Sequence, residues 1–127
     1  MPGARKARPV FFDLAKIQLP VGALTSITHR VTGVLLAFGV VFVTYLLDLS
    51  LEGPHGYSRV AAMLAYGLVK VAVIVFTWAL AHHLLAGTRH LLSDIDIGSQ
   101  LPAARRSAWV ANIGGVAVAL LAASALL

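Results

Sequence analysis

The sequence predicts an all-α membrane protein of three transmembrane helices, and two observations carry that prediction. The first is composition. Of 127 residues, 59% are hydrophobic and 12% charged, where a soluble domain averages about 45–50% apolar and about 25% charged. The second is the spacing of the charges, which leaves three apolar runs long enough to cross a bilayer. The net charge of +5 does not point to nucleic acid. The basic residues flank apolar runs and form no aromatic-interleaved stripe. With no cysteine, disulfides, thiolate metal sites and cysteine nucleophiles are excluded.

The chain reads as one membrane-anchor domain over 1–127. Residues 1–19 form a basic, partly amphipathic interfacial segment. Phe11, Phe12, Leu14, Ile17 and Leu19 suit a membrane surface or a docking surface equally well. The run Phe12-Asp13-Leu14-Ala15-Lys16 interrupts any signal-peptide core after Arg5, Lys6 and Arg8, so the expectation is a multi-pass protein of a bacterial inner (cytoplasmic) membrane.

The first span is placed at about 21–48. Pro20 suits a helix start. Seventeen uncharged residues separate Arg30 from Asp48, and the two charges lie about 27 Å apart along a helix, close to the hydrocarbon thickness. Thr25, Ser26, His29 and Arg30 then fall at one membrane face. Residues 49–58 read as a loop broken at Gly53-Pro54. The second span is placed at about 59–92 with an uncharged core from Val71 to Thr88, Lys70 snorkelling to the interface and 58–69 extending beyond it. Asp94, Asp96, Gly98, Pro102, Arg105 and Arg106 mark 93–107 as a polar connection. The third span, at about 108–127, is uncharged, and Gly114, Gly115, Ala117 and Ala119 permit close helix approach. The excess of Lys and Arg on one side places the N-terminus in the cytoplasm and the C-terminus on the outer side. Ser26, His29 and Arg30 then share a membrane face with Arg89 and His90.

Three of the five histidines lie in the last turns of the second span. Ionisable groups there must be paired or wetted, so they mark a candidate functional site. His83, Gly87 and His90 are spaced i, i+4, i+7 and share a helix face. His83 suits an axial ligand of haem iron, Gly87 clears room for a flat macrocycle, and Arg89 and His90 suit its propionates. Alternatively, His83 merely hydrogen-bonds a neighbouring helix or a water. His83 and His90 are about 10 Å apart along one helix, so they cannot ligate one iron. A second ligand must come from elsewhere. His29 is a candidate but sits nearer the interface than His83, and a histidine of a partner subunit fits better. His82 points about 100° away from His83 and is the weaker candidate.

Ser26 and Arg30 are spaced i, i+4, with Gly22 and Gly33 flanking the same general face. They suit the carbonyl oxygens of a quinone head group, with Arg30 stabilising charge that develops on reduction. On spacing alone, a back-bonded Ser26 and a topological anchor at Arg30 stand ahead of that reading. The histidines have no carboxylates near them in the spans, which argues against zinc or di-metal chemistry.

Two stretches carry a family resemblance. One is Arg8-Pro9-Val10 with Leu14, Val21 and Ser26-Ile27-Thr28-His29-Arg30-Val31-Thr32. The other is His83-Leu84-Leu85-Ala86-Gly87-Thr88-Arg89-His90-Leu91 with Asp94. Together they resemble the cytochrome b subunit of succinate dehydrogenase, the membrane anchor of respiratory complex II, with departures at Ser93 and Asp96. The resemblance implies a second small membrane anchor subunit, an iron–sulfur subunit and a flavoprotein subunit as partners. It implies haem b as cofactor, with His83 as one axial ligand, the other coming from the partner anchor, and His29 and His90 near the propionates. It assigns Ser26 and Arg30 to a ubiquinone site. The chain itself would do no succinate chemistry. A fumarate reductase anchor and a cofactor-free three-helix assembly protein are the alternatives.

Overall fold

A computed structural model describes residues 17–127. The basic lead-in, with Arg5, Lys6, Arg8 and Lys16 and the apolar Phe11, Phe12 and Leu14, lies outside the described residues. Four helices follow in order: α1 (Val21–Leu51), α2 (Pro54–Leu64), α3 (Gly67–Asp94) and α4 (Leu101–Leu126). Among the described residues there is no strand. Helices α1, α3 and α4 are each long and apolar enough to cross a membrane, in keeping with the expected fold class.

The joints depart from the expected boundaries in three places, each for a local reason. The loop expected at 49–58 is almost wholly helical. Only Glu52 and Gly53 separate α1 from α2, because Gly53 takes φ 125°, a conformation that L side chains rarely adopt, and Pro54 opens α2 directly. The segment expected as one helix over 59–92 breaks at Ala65–Tyr66. Tyr66 is extended (φ −69°, ψ 134°) and α3 restarts at Gly67. The break frees α2 to fold against the end of α1, where Gly56 packs on the Leu49 carbonyl and Val60 is buried. The third span begins about two turns earlier than Ala108. Gln100 caps it and Pro102 lies in its first turn, so Arg105 and Arg106 are helical.

Between α3 and α4 the chain turns through Asp96 (φ 60°) and Gly98 (φ 73°). Asp96 N–H donates to the Ser93 carbonyl at 3.1 Å and Ile97 N–H to the Leu92 carbonyl at 2.9 Å. These are the two bonds of a Schellman cap, with aspartate where glycine is usual.

Helix α3 is the centre of the bundle, packing most extensively on α4 and next on α1. Its buried residues are Ala79, His82 and Ala86, those of α4 are Ala108, Ala111 and Gly115, and Gly115 packs directly on His82. Both sets follow a three–four spacing, so each forms a stripe of mostly small residues. Of the small residues expected to permit close helix approach, Gly114 and Gly115 face α3, whereas Ala117 is exposed. The largest fully buried side chains are His82, Thr25 and Thr32. Large apolar side chains such as Phe38, Val41 and Leu68 are exposed instead. In a solvent as apolar as leucine, burial of apolar bulk gains little. Close packing of small residues and interhelical hydrogen bonds hold such helices together.

Candidate functional site

The site is built where the first half of α1 crosses the second half of α3. Two glycines set the approach, one on each helix. A Cβ at Gly33 would lie 3.1 Å from His83 Cε1, and one at Gly87 would lie 3.3 Å from His29 Nε2. Each imidazole therefore packs over the bare backbone of the opposite helix. The His29 and His83 rings stack with centroids 4.1 Å apart and planes inclined by 15°. His29 also meets the His90 ring at 5.2 Å. His29 therefore lies over α3 one turn closer to the Asp94 end than His83, and the bare backbone at Gly87 faces its ring.

Hydrogen bonds fix the His83 tautomer. Its Nδ1 lies 3.1 Å from the His29 carbonyl and 3.3 Å from Thr32 Oγ1. Thr32 gives its own hydroxyl proton to that same carbonyl at 2.9 Å. Both groups facing Nδ1 are thus acceptors, so Nδ1 carries the proton and Nε2 keeps its lone pair. A backbone carbonyl on the second ring nitrogen is the usual support of a metal-ligating histidine. Among the described residues no group of three or more His, Asp, Glu or Cys could hold a bare ion. A single imidazole with a free Nε2 suits an axial haem position, where the macrocycle supplies the other in-plane donors. His29 Nε2 is buried without a partner, beside the His83 and His90 rings. The donor set fits a haem with an acidic edge.

His82, the weaker candidate by sequence, is 1% exposed and has a different task. Its Nε2–H donates to Asn112 Oδ1 of α4 at 3.0 Å. Thr25 Oγ1 of α1 lies 3.2 Å from that oxygen and 2.8 Å from the Val21 carbonyl, with one proton to share between them. Three helices therefore meet at one amide. His82 packs over Gly115, where a Cβ would lie 3.0 Å from its own Cβ, and Trp78 is tilted against its ring. Asn112 is the only asparagine in the chain. A lone amide within an apolar span is the signal that could have found it.

Arg89 turns to α4 as well as to α1. Its Nε–H donates to Ser107 Oγ at 3.0 Å, and its Nη2 lies 3.6 Å from where a Cβ of Gly22 would be. Ser107 was assigned to the polar connection. Its partnership with Arg89 exists only because α4 starts at Leu101. Ser26 is half-buried and Arg30 exposed. Thr25 and Thr28 bond to carbonyls of their own helix four residues back. Ser26 makes no such bond among the described residues, so its hydroxyl is not spent on α1. Arg30 follows His29 about 100° round the helix, so the pair Ser26 and Arg30 borders the imidazole cluster without entering it.

The chain matches, over residues 4–123, the family described as succinate dehydrogenase/fumarate reductase transmembrane subunit. It belongs to that family. It is 33% identical over 117 residues to the succinate dehydrogenase cytochrome b556 subunit of Paracoccus denitrificans, covering 92% of this chain and 90% of the relative. It is 34% identical over 103 residues to that of Coxiella burnetii, covering 80% and 82%. For the subunit of Rickettsia prowazekii the identity is 28% over 114 residues, covering 90% and 89%. The matches run through both α1 and α3, so a transmembrane subunit of this family is what the three long helices build.

Proposed function

We propose that this chain is the haem b-carrying membrane anchor of a succinate:quinone oxidoreductase in a bacterial inner membrane, with its N-terminus on the cytoplasmic side. The observation that carries the proposal is the His83 ring, held by the His29 carbonyl and Thr32 with Nε2 free to coordinate. His83 would be one axial ligand of the haem iron, and a histidine of a second small anchor subunit the other. His29, His90 and the N–H groups that Arg89 does not spend on Ser107 would hold the propionates. Haem bound in this way supplies a one-electron relay.

Ser26 and Arg30 would bind the head group of ubiquinone or a similar quinone. The Ser26 hydroxyl and the Arg30 guanidinium donate to its carbonyl oxygens, and the fixed cation stabilises the negative charge that reduction places there. Succinate oxidation belongs to a flavoprotein subunit. An iron–sulfur subunit delivers its two electrons, and the quinone takes them up with two protons. The names of the relatives favour the succinate-oxidising direction over quinol:fumarate reduction. A cofactor-free assembly role has less support, because it leaves His29 Nε2 sealed with nothing to bind.

The test is His83→Ala in the complex purified with its partners. The reduced-minus-oxidised spectrum is expected to lose or shift its b-type band. Unchanged haem content and an unchanged band would remove His83 as the ligand.

A further inference from the structure

We infer that Thr32 is a positioning residue for the haem, setting the orientation and electron donation of His83; this rests on the haem-binding reading above. Thr32 is completely buried. Its proton goes to the His29 carbonyl at 2.9 Å, which turns the oxygen lone pairs outward and leaves them to accept from His83 Nδ1–H at 3.3 Å. The His29 carbonyl accepts from the same Nδ1–H at 3.1 Å. On the adjoining residue, Gly33, a Cβ would stand 3.1 Å from His83 Cε1.

The ring is therefore gripped along one edge. A half-turn about its Cβ–Cγ bond would exchange Nδ1 for a ring carbon and put a C–H against two acceptors. The other tautomer would put the His29 carbonyl oxygen against a nitrogen lone pair, and Thr32 could donate to that nitrogen only by withdrawing its proton from the carbonyl. Only one ring state satisfies the pocket, and it is the one that offers Nε2. Accepting the Nδ1 proton also makes the imidazole more electron-donating, which stabilises ferric over ferrous iron. All these groups lie on α1, so the chain sets the character of its α3 ligand with a neighbouring helix.

Thr32→Val keeps the shape and deletes the acceptor, while Thr32→Ser keeps the hydroxyl. In the purified complex, Thr32→Val is expected to retain haem and to favour the ferrous state by about threefold to tenfold, where tenfold is 59 mV for a one-electron couple. The low-spin ferric EPR signal should move with it, and Thr32→Ser should match the wild type in both. If Thr32→Val does not assemble, Thr32→Ala is read in the same way, and loss of haem from Ala but not from Ser also supports the role. Potentials and EPR signals unmoved in Val and Ala overturn the inference, as does a Ser variant shifted as far as Val. A wild-type complex without haem would instead defeat the haem-binding reading, and this inference with it.

Discussion

Removing the Asn112 amide should loosen the bundle at the point where three helices meet. In Asn112→Ala, His82 loses the partner of its Nε2–H. Its Nδ1 is already buried without one, and the residue is 1% exposed, so the whole ring becomes unsatisfied. Thr25 loses nothing essential, since the Val21 carbonyl at 2.8 Å still takes its proton. One newly orphaned donor costs about 1–3 kcal/mol. Interhelical bonds in membrane proteins average only about 0.6 kcal/mol, because the separated helices find other partners. A cleft of about 250 Å³ beside Trp78, His82, Trp109 and Asn112 has room for a water, which offsets part of the loss. A cost of about 1–2 kcal/mol is the reasoned middle. The assay is the thermal midpoint of the purified complex, followed by fluorescence, for Asn112→Ala, His82→Leu and the double variant. The single Asn112 variant should melt lower by several degrees. The double variant should cost less than the two singles added together, because it leaves no orphan. An Asn112→Ala midpoint equal to the wild type, or strict additivity in the double variant, would refute the reasoning.

Three further expectations test the site and the frame. Arg30→Leu should strongly impair quinone reduction while succinate oxidation with artificial acceptors persists; normal quinone kinetics would take Arg30 out of the site. Gly115→Ala should lower the melting point more than Gly114→Ala. Its new Cβ meets the His82 backbone, at 3.3 Å from Cα and 3.5 Å from N, whereas that of Gly114 meets only the tip of Leu85, and equal effects would contradict this packing. Asp96→Gly should raise the melting point slightly by relieving a left-handed non-glycine residue worth about 1 kcal/mol, so a lowered midpoint would mean that the aspartate side chain contributes more than its backbone costs.

The three long helices were legible because each comes from one contiguous run of sequence: hydropathy and charge spacing act locally. Helix ends were less legible. A continuous helix over 59–92 satisfies every local preference, and it breaks at Ala65–Tyr66, where α2 packs back on α1 with Gly56 against the Leu49 carbonyl. The early start of α4 was marked by Pro102, but the charges at Arg105 and Arg106 masked it.

At the site, sequence alone picked out the candidates. Apolar helices hold His29, His83, His90, Arg89, Ser26 and Arg30 only at a cost, so their presence is itself the signal. It also determined that His83 and His90 could not share an iron, because one helix fixes their separation. Sequence spacing could not give what each imidazole touches, since that depends on the rotation of one helix against another. Tertiary structure decided that His29 fills the clearance over Gly87, that Thr32 and a backbone carbonyl set the His83 tautomer, and that adjacent His82 is a structural tie to Asn112. Two neighbouring histidines thus acquire different roles because they point about 100° apart, one toward α1 and the other toward α4.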